Sequence, residues 1–221
     1  MASTLAPPTA PDTVISFEIN PGTLYQLLDA RAEKGPRLKC FEGSATLVSP
    51  GRTHEEYASR LDYLILAVCT ELGVKCKALA STTWFLPFGA GDTAYEADRS
   101  YYVQSFGTET RSHPPDVAIE VVVSHPETKA LRAGAFLKIP EMWVLDLGRH
   151  RLTFYHLAVR GKSKGIYQPQ PRSRAFPILA SAEVLERLDD PETDDIAFLE
   201  NCRAWACRVL VPRQRARNGG A

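Results

Sequence analysis

The sequence predicts an α/β fold in which a mixed central β-sheet is flanked by helices. Three observations predict it: an amphipathic helix near the start, strand-like segments with one helix among them in the middle, and helices at the end. This order of elements is typical of a mixed sheet with helices packed against it. The chain has 221 residues, enough for one domain with its own core.

The first part of the chain predicts two helices around a hairpin. An amphipathic segment begins at Pro21-Gly22-Thr23 and ends at the Gly/Pro stop of Lys34-Gly35-Pro36. Residues 38–48 predict two short strands joined by a turn at Glu42-Gly43. Apolar residues at three-to-four spacing between His54 and Leu72 then predict a long helix, which Gly73 terminates.

The rest of the chain alternates strand and helix patterns. Residues 89–92, Gly-Ala-Gly-Asp, predict a turn, and residues 104–113 are polar and predict a loop. The predicted strands cover residues 75–88, 99–103, 116–123, 142–146, 152–157 and 166–167, and the predicted helices cover residues 126–137, 184–188 and 196–210.

The two ends of the chain predict flanking segments around one domain at residues 14–211. Residues 1–13 are rich in Ala, Pro and Thr and lack the basic and apolar regions of a signal peptide, which predicts a disordered leader. Residues 212–221 are basic and predict a disordered tail. No apolar run is long enough to span a bilayer. We therefore expect a cytoplasmic protein with no membrane partner.

Charge and cysteine content exclude some classes of protein. Lys plus Arg number 26, as do Asp plus Glu, so no global field draws the chain to nucleic acid. A local basic groove remains compatible with this balance. The five cysteines are odd in number and form no C-x-x-C pair, which argues against a disulfide framework and a structural zinc site.

Carboxylates stand beside and within a strongly apolar strand. Residues 117–123 are apolar apart from Glu120, Asp116 precedes them, and Asp98 lies on the preceding strand-like segment. Because an unpaired buried charge is costly, these acids indicate a compensating cation. Converging carboxylates suit a hard divalent ion such as Mg²⁺, and a phosphodiester-cleaving site adds a nearby lysine. Asp98, Glu120 and Lys129 have the required types, although acids at strand ends are often simply solvated.

Four ordered blocks of sequence carry a family resemblance. They are Glu42-Gly43 with Ser49-Pro50 and His54-Glu55, then Tyr95-Glu96-Ala97-Asp98, then Pro114-Pro115-Asp116-Val117-Ala118-Ile119-Glu120-Val121, and last Ile139-Pro140-Glu141-Met142-Trp143. Together they resemble the Uma2 family of restriction endonucleases, in the PD-(D/E)XK nuclease superfamily. Their order and spacing run without large gaps across residues 38–167.

The resemblance implies a restriction-endonuclease-like fold and an endonuclease that uses Mg²⁺ or Mn²⁺ to hydrolyse phosphodiester bonds of DNA. It implies that Asp98, Glu120 and the main-chain carbonyl of Val121 bind the metal. Lys129 is the expected catalytic cation, one residue before Ala130, where the family supplies a Lys or Arg from this helix. DNA is the expected partner, and a homodimer stays open.

The chain departs from the family pattern at four positions. Ala97 stands in place of a proline, Val122 in place of the lysine two residues after the metal-binding Glu, Gly134 in place of a tyrosine, and Lys138 in place of a glycine. These departures leave a second hypothesis open, a catalytically eroded relative that binds nucleic acid or protein. A third is an unrelated α/β domain whose acids pair with Arg99 or Arg132. His54 is expected to be a capping or surface residue.

Overall fold

The computed structural model describes residues 12–30, 35–85, 93–104, 113–123, 128–158 and 165–219. The strands are β1 (Thr13–Glu18), β2 (Arg37–Phe41), β3 (Ser44–Ser49), β4 (Cys76–Ala78), β5 (Thr83–Phe85), β6 (Ala94–Glu96), β7 (Arg99–Val103), β8 (Val117–Val122), β9 (Glu141–Asp146), β10 (Arg151–Ala158) and β11 (Ile166–Gln170). The helices are α1 (Pro21–Ala30), α2 (Arg52–Leu72), α3 (Thr128–Phe136), α4 (Ser181–Leu188), α5 (Asp195–Trp205) and α6 (Val211–Asn218), with a π-helical turn at Ala206–Leu210.

The strands form two sheets, and the α/β class with a mixed sheet is confirmed. Sheet A has the order β1-β3-β2-β6-β5, and sheet B has the order β11-β10-β9-β8-β7-β4. Strands β8 and β9 of sheet B are parallel, while their outer neighbours β7 and β10 pair antiparallel with them. Sheet B is the predicted mixed sheet, and the chain adds the antiparallel sheet A, from which it passes to sheet B between β6 and β7, at Ala97 and Asp98.

Three apolar clusters hold helices against these sheets. Helix α1 covers one face of sheet A, where Leu24 packs with Leu38 and Cys40. Helix α3 packs in a second cluster that joins the other face of sheet A to sheet B, through residues such as Tyr95 and Ala118. The remaining face of sheet B packs against α2, α4 and α5 in the largest cluster. The inward face of sheet A therefore lies close to sheet B.

Local sequence signals explain the hairpin and the end of α2. Glu42 and Gly43 have φ angles of 49° and 77°, as a two-residue hairpin turn between β2 and β3 requires. Gly73 ends α2 with a φ angle of 63°, a conformation that glycine adopts without steric cost. The predicted hairpin and the predicted helix stop are both confirmed.

Other predicted elements differ from the structure or lie outside the residues that it describes. The segment predicted as one strand at residues 75–88 contains β4 and β5, which lie in different sheets. The basic tail, predicted to be disordered, is helical as far as Asn218. Residues 1–11 of the predicted leader and the predicted turn at 89–92 lie outside the described residues. In the part of the chain that the structure describes, no helix has the length and apolarity needed to cross a membrane.

Helix α3 ends in a Schellman motif that has lysine where glycine is usual. The N–H of Ile139 donates to the Gly134 carbonyl at 3.0 Å, and the N–H of Lys138 donates to the Ala135 carbonyl at 3.2 Å. Lys138 therefore adopts a φ angle of 60°, in the left-handed region that glycine favours. Its position in the motif explains why the family pattern has glycine there.

Candidate functional site

Asp98 lies where the chain crosses between the two sheets. Its N–H donates to the Ile119 carbonyl at 3.1 Å, and its Oδ2 accepts a hydrogen bond of 2.6 Å from the N–H of Val121. The side chain of Asp98 thus continues the ladder between β7 and β8 beyond the start of β7. This fixes the carboxylate beside the C-terminal half of β8, which carries Glu120.

Two cationic or polar side chains hold the Asp98 carboxylate. Arg37 Nη1 donates to Asp98 Oδ1 at 2.8 Å, and His54 Nε2 lies 3.0 Å from Asp98 Oδ2. Asp98 and His54 are each only 1% exposed. Burial acts to raise the pKa of the Asp98 carboxyl, but the His54 hydrogen bond and the charges of Lys39 and Arg37 outweigh it and hold that pKa well below its usual value. Asp98 is therefore ionised at neutral pH.

Glu120 is fully buried on β8 and is held by two side chains of sheet A. Lys39 Nζ forms an ion pair with Glu120 Oε2, and the Tyr95 hydroxyl donates to Glu120 Oε1 at 2.5 Å. Burial raises the pKa of Glu120 although the Lys39 charge opposes the shift. For Lys39, burial acts to lower the pKa, but the charges of Glu120 and Asp98 prevail and raise it. Lys39 is consequently a protonated ammonium group at neutral pH.

Strand β2 supplies the cations because its side chains alternate between two faces. Leu38 and Cys40 face the α1 cluster, whereas Arg37 and Lys39 point toward sheet B. Lys39 pairs in register with Tyr95 on β6, so both side chains reach Glu120 from the same face of sheet A. We call the group of Arg37, Lys39, His54, Tyr95, Asp98 and Glu120 the buried ionic cluster.

The sequence prediction missed Lys39, Arg37 and Tyr95 as site residues, and a signal for the two cations was present. Arg37 and Lys39 alternate with Leu38 and Cys40, and the first four residues of β2 are buried. A buried strand with cations on one face needs acidic partners for the same reason that a buried strand with acids needs cations. The expectation that His54 caps a helix or lies at the surface was wrong, because His54 is buried against Asp98.

Lys129 forms hydrogen bonds with two hydroxyl groups of β3. Its Nζ donates to Ser44 Oγ at 3.0 Å and to Thr46 Oγ1 at 2.8 Å, both on β3. The structure thus brings Asp98, Glu120 and Val121 together with Lys39, and it directs Lys129 toward two hydroxyl groups. A catalytic role for Lys129 stays a prediction.

The remaining candidate acids and cations have separate partners. Arg99 Nε donates to Asp62 at 2.5 Å, and the Arg132 guanidinium lies 5.7 Å from the centre of the Phe41 ring. Asp116 accepts a 2.8 Å hydrogen bond from the Val103 N–H, as a loop-end residue does. The third hypothesis, in which Arg99 or Arg132 pairs with the site carboxylates, therefore finds no support in these contacts.

Comparison with known proteins places the chain in a family. The sequence profile of Uma2, described as "Putative restriction endonuclease", matches residues 23–190, which is more than half of the chain. The chain belongs to the Uma2 family. A solved structure described as a putative nuclease belonging to DUF820, from Anabaena variabilis, aligns with a TM-score of 0.47 and 15% identity, over 83% of this chain and 98% of that chain. No curated protein matches this chain.

Families related to restriction endonucleases use divalent metals, and the donors of this Uma2 chain fit one chemically. Asp98, Glu120 and the carbonyl of Val121 offer the hard oxygen atoms that Mg²⁺ prefers. The N–H of Val121 donates to Asp98, and its carbonyl lies on the same side of the strand because both groups of one residue do. Among the described residues no set of three or more His, Cys, Asp or Glu side chains is arranged as a metal site.

The carboxylate oxygen atoms also have unused capacity to accept further bonds from the described residues or a ligand. Among the described residues, five donors serve their four oxygen atoms: Arg37, His54 and the N–H of Val121 on Asp98, and Lys39 and Tyr95 on Glu120. A carboxylate oxygen can accept two hydrogen bonds, so five donors do not saturate the pair. A cation at this site would compete with Lys39 and Arg37 for the same negative charge.

Two of the departures from the Uma2 pattern have structural counterparts. The lysine missing at Val122 is matched by Lys39, which reaches Glu120 from sheet A. The tyrosine missing at Gly134 is matched by Tyr167 of β11, whose hydroxyl lies 3.0 Å from where a Gly134 Cβ would stand and donates to the Ile139 carbonyl at 2.8 Å.

Proposed function

We propose that this Uma2 protein is a metal-dependent endonuclease that hydrolyses DNA phosphodiester bonds. One observation carries the proposal: carboxylates from two adjacent segments of sheet B, Asp98 and Glu120, meet a buried lysine from sheet A. Two acids and a lysine beside a central strand are the parts that metal-assisted phosphodiester cleavage requires. Membership of the Uma2 family supports the same reaction class.

The carboxylates of Asp98 and Glu120, with the carbonyl of Val121, would hold the divalent ion. When bound, such an ion lowers the pKa of a coordinated water and neutralises charge on the phosphate. Arg37 and His54 fix the orientation of Asp98, and Tyr95 fixes that of Glu120. Their role is to hold both carboxylates in one geometry while negative charge develops on the phosphate oxygens during hydrolysis.

Lys39 takes the part of the lysine that the strand of Glu120 lacks. Its raised pKa keeps it protonated at neutral pH, so it acts as a hydrogen-bond donor and not as a base. An ammonium group beside Glu120 can orient the attacking water and stabilise the negative charge that develops on the phosphate oxygens. We therefore assign the catalytic set as Asp98, Glu120 and Lys39, and we keep Lys129 as the competing cation.

The burial of the cluster favours a second candidate, a nuclease fold that binds nucleic acid or protein without cutting. Glu120 is 0% exposed, and Asp98 is 1% exposed. A phosphate group reaches these acids only if the surrounding segments move apart. A protein in which such opening does not occur would keep the cluster as a structural ion network.

Incubation of supercoiled plasmid and circular single-stranded DNA with the protein and Mn²⁺ separates these candidates. We expect wild-type protein to nick or linearise at least one of the two substrates, and Glu120→Gln to leave both intact. The variant Asp29→Asn, at an exposed acid on α1, should cut like wild type. Absence of cleavage by wild-type protein at high concentration, with metal binding intact, would select the non-cutting candidate.

A further inference from the structure

A second feature lies on the same face of β2 as the catalytic lysine. Side chains two residues apart on a strand share a face, so Phe41 follows Lys39 along the inward side of sheet A. The ring of Phe41 lines a cleft between β2, α3 and the start of β11. We call this cleft, bounded by Phe41, Leu131, Arg132, Phe136, Gly165 and Tyr167, the aromatic cleft.

We infer that the aromatic cleft binds one unstacked nucleobase of a DNA strand whose backbone runs to the buried ionic cluster. The inference rests on the proposed function, because it names the form of DNA that the same site would take. It predicts a preference for single-stranded DNA, or for a duplex with an unpaired base, over a fully paired duplex. Base pairing and stacking in a duplex would keep the base from entering a cleft beside the strand.

The dimensions and the rings of the cleft suit a base. Its volume is about 480 Å³, within the range of pockets that hold small organic ligands. The rings of Phe41 and Phe136 meet edge to face, with centroids 6.0 Å apart and an interplanar angle of 75°. An aromatic face that is half-buried offers a flat apolar surface on which any base can stack.

The cations of α3 suit the phosphates on either side of that base. The guanidinium of Arg132 is exposed and lies 5.7 Å from the centre of the Phe41 ring, an arrangement that also favours stacking on a base. Lys129 lies three residues earlier on the same helix, and its hydrogen bonds go to the neutral hydroxyls of Ser44 and Thr46. Lys129 and Arg132 thus bring two positive charges to the cleft, and its described lining includes one acid, Glu42.

The register of the hairpin connects the cleft to the catalytic centre. In the register of the hairpin, Ser44 lies opposite Phe41 and Thr46 lies opposite Lys39. The two hydroxyls that bind Lys129 therefore lie beside Phe41 and beside Lys39. A DNA strand lying along this hairpin would pass from the Phe41 ring and Lys129 toward Lys39 and Glu120, which it reaches once the segments around the buried ionic cluster have moved apart. This gives Lys129 a role in DNA binding that does not require it to contact Asp98 or Glu120.

Fluorescence anisotropy with dye-labelled oligonucleotides in EDTA tests the inference without cleavage. Three probes of one length are compared: a single strand, the same strand with abasic sites, and the paired duplex. We expect wild-type protein to bind the single strand about tenfold more tightly than the abasic strand, which has the phosphates but lacks bases. Equal affinity for these two probes would overturn the inference, and this comparison needs no variant.

Phe41→Leu keeps an apolar side chain and removes the ring. It should weaken binding of the single strand about tenfold and leave the abasic strand unaffected. Phe85→Leu is the matched control, since Phe85 lies on β5 beside Trp84 with its side chain on the opposite face of sheet A. An unchanged affinity for Phe41→Leu would contradict base stacking at this ring.

Arg132→Gln tests the phosphate contact separately. It should weaken binding of the single strand and the abasic strand alike and reduce the slope of log affinity against log salt by about one. Arg208→Gln, at an exposed arginine on the far side of sheet B, should change neither. A wild-type protein that prefers the single strand but does not cut DNA would refute the proposed endonuclease and leave this binding site in place.

Discussion

Lys39 on sheet A and Glu120 on sheet B form a buried ion pair across the two sheets. The two residues are 81 positions apart in the sequence, and neither is more than 5% exposed. Replacing one member of such a pair leaves an uncompensated buried charge, which typically costs about 3–5 kcal/mol. The pair therefore couples the position of the N-terminal hairpin to strand β8, which carries Glu120.

Divalent metal should stabilise the folded protein through the two carboxylates. At a Mn²⁺ concentration about 100 times the dissociation constant, binding adds about 2.7 kcal/mol, or a rise in Tm of roughly 5–10 °C for a chain of this size. We expect this rise for wild-type protein and its loss in Asp98→Asn and Glu120→Gln. Differential scanning fluorimetry with and without Mn²⁺ measures it.

The exposed-acid variant Asp29→Asn should keep the full rise in Tm, since its side chain lies on the surface of α1. A rise that persists in both carboxylate variants would place the metal elsewhere on the chain. The comparison uses the shift caused by metal within each variant, so a lower Tm of a variant without metal does not affect it.

Asp98 should make stability depend on pH in the acid range. Its folded pKa lies below the unfolded value of about 3.9, so its contribution is complete above that value and is lost as the pH falls below about 4. Urea unfolding from pH 7 to pH 3 should show Asp98→Asn less stable than wild type by about 3–5 kcal/mol at pH 7. The difference should shrink below pH 4. A constant difference down to pH 3 would show that the Asp98 charge contributes nothing.

Lys138→Gly should stabilise the protein. A non-glycine residue in the left-handed region costs about 1–2 kcal/mol, and the flexibility that glycine adds to the unfolded chain offsets part of this gain. We expect a net gain of about 0.5–1 kcal/mol, measured by urea unfolding. Lys138→Ala is the matched control, because it removes the charge and keeps the Cβ that causes the strain. Equal stability of the two variants would refute strain at this position.

Gly134→Ala should destabilise the protein although alanine is the better helix former. The new Cβ would overlap the sulfur of Met142, which is fully buried, and would lie 3.0 Å from the Tyr167 hydroxyl. Overpacking costs about 1–3 kcal/mol, against a gain in helix propensity of about 1 kcal/mol. Gly22→Ala on α1 is the control, since the nearest atom there is 3.4 Å away. A stabilised Gly134→Ala would contradict this packing.

Much of the fold could be predicted from local signals in the sequence. Apolar periodicity located α2, and the pair Glu42-Gly43 located the hairpin turn, because both features depend on neighbouring residues. The division into two sheets could not be predicted this way. It depends on where β6 ends and on the pairing of β2 with β6, across some 55 residues of chain.

The site was predictable in its acids and not in its cations. Asp98 and Glu120 are recognisable in the sequence because a carboxylate beside or within a buried apolar strand is costly unless a cation compensates its charge. Lys39 does not stand beside them in the sequence, so a search for a lysine near Glu120 led to Lys129 on the following helix. The packing of sheet A against sheet B shows that it is Lys39, on β2, that forms the ion pair with Glu120.

The most direct test compares the two lysines in DNA cleavage. Wild-type protein, Lys39→Arg, Lys39→Met and Lys129→Met are incubated with saturating DNA and Mn²⁺, and the folding of each is checked by circular dichroism. We predict that both Lys39 variants cut about 100-fold more slowly or not at all, because neither holds an ammonium group beside Glu120. Lys129→Met should cut within a few-fold of wild type. Loss of cleavage in Lys129→Met with wild-type cleavage in the Lys39 variants would contradict the account.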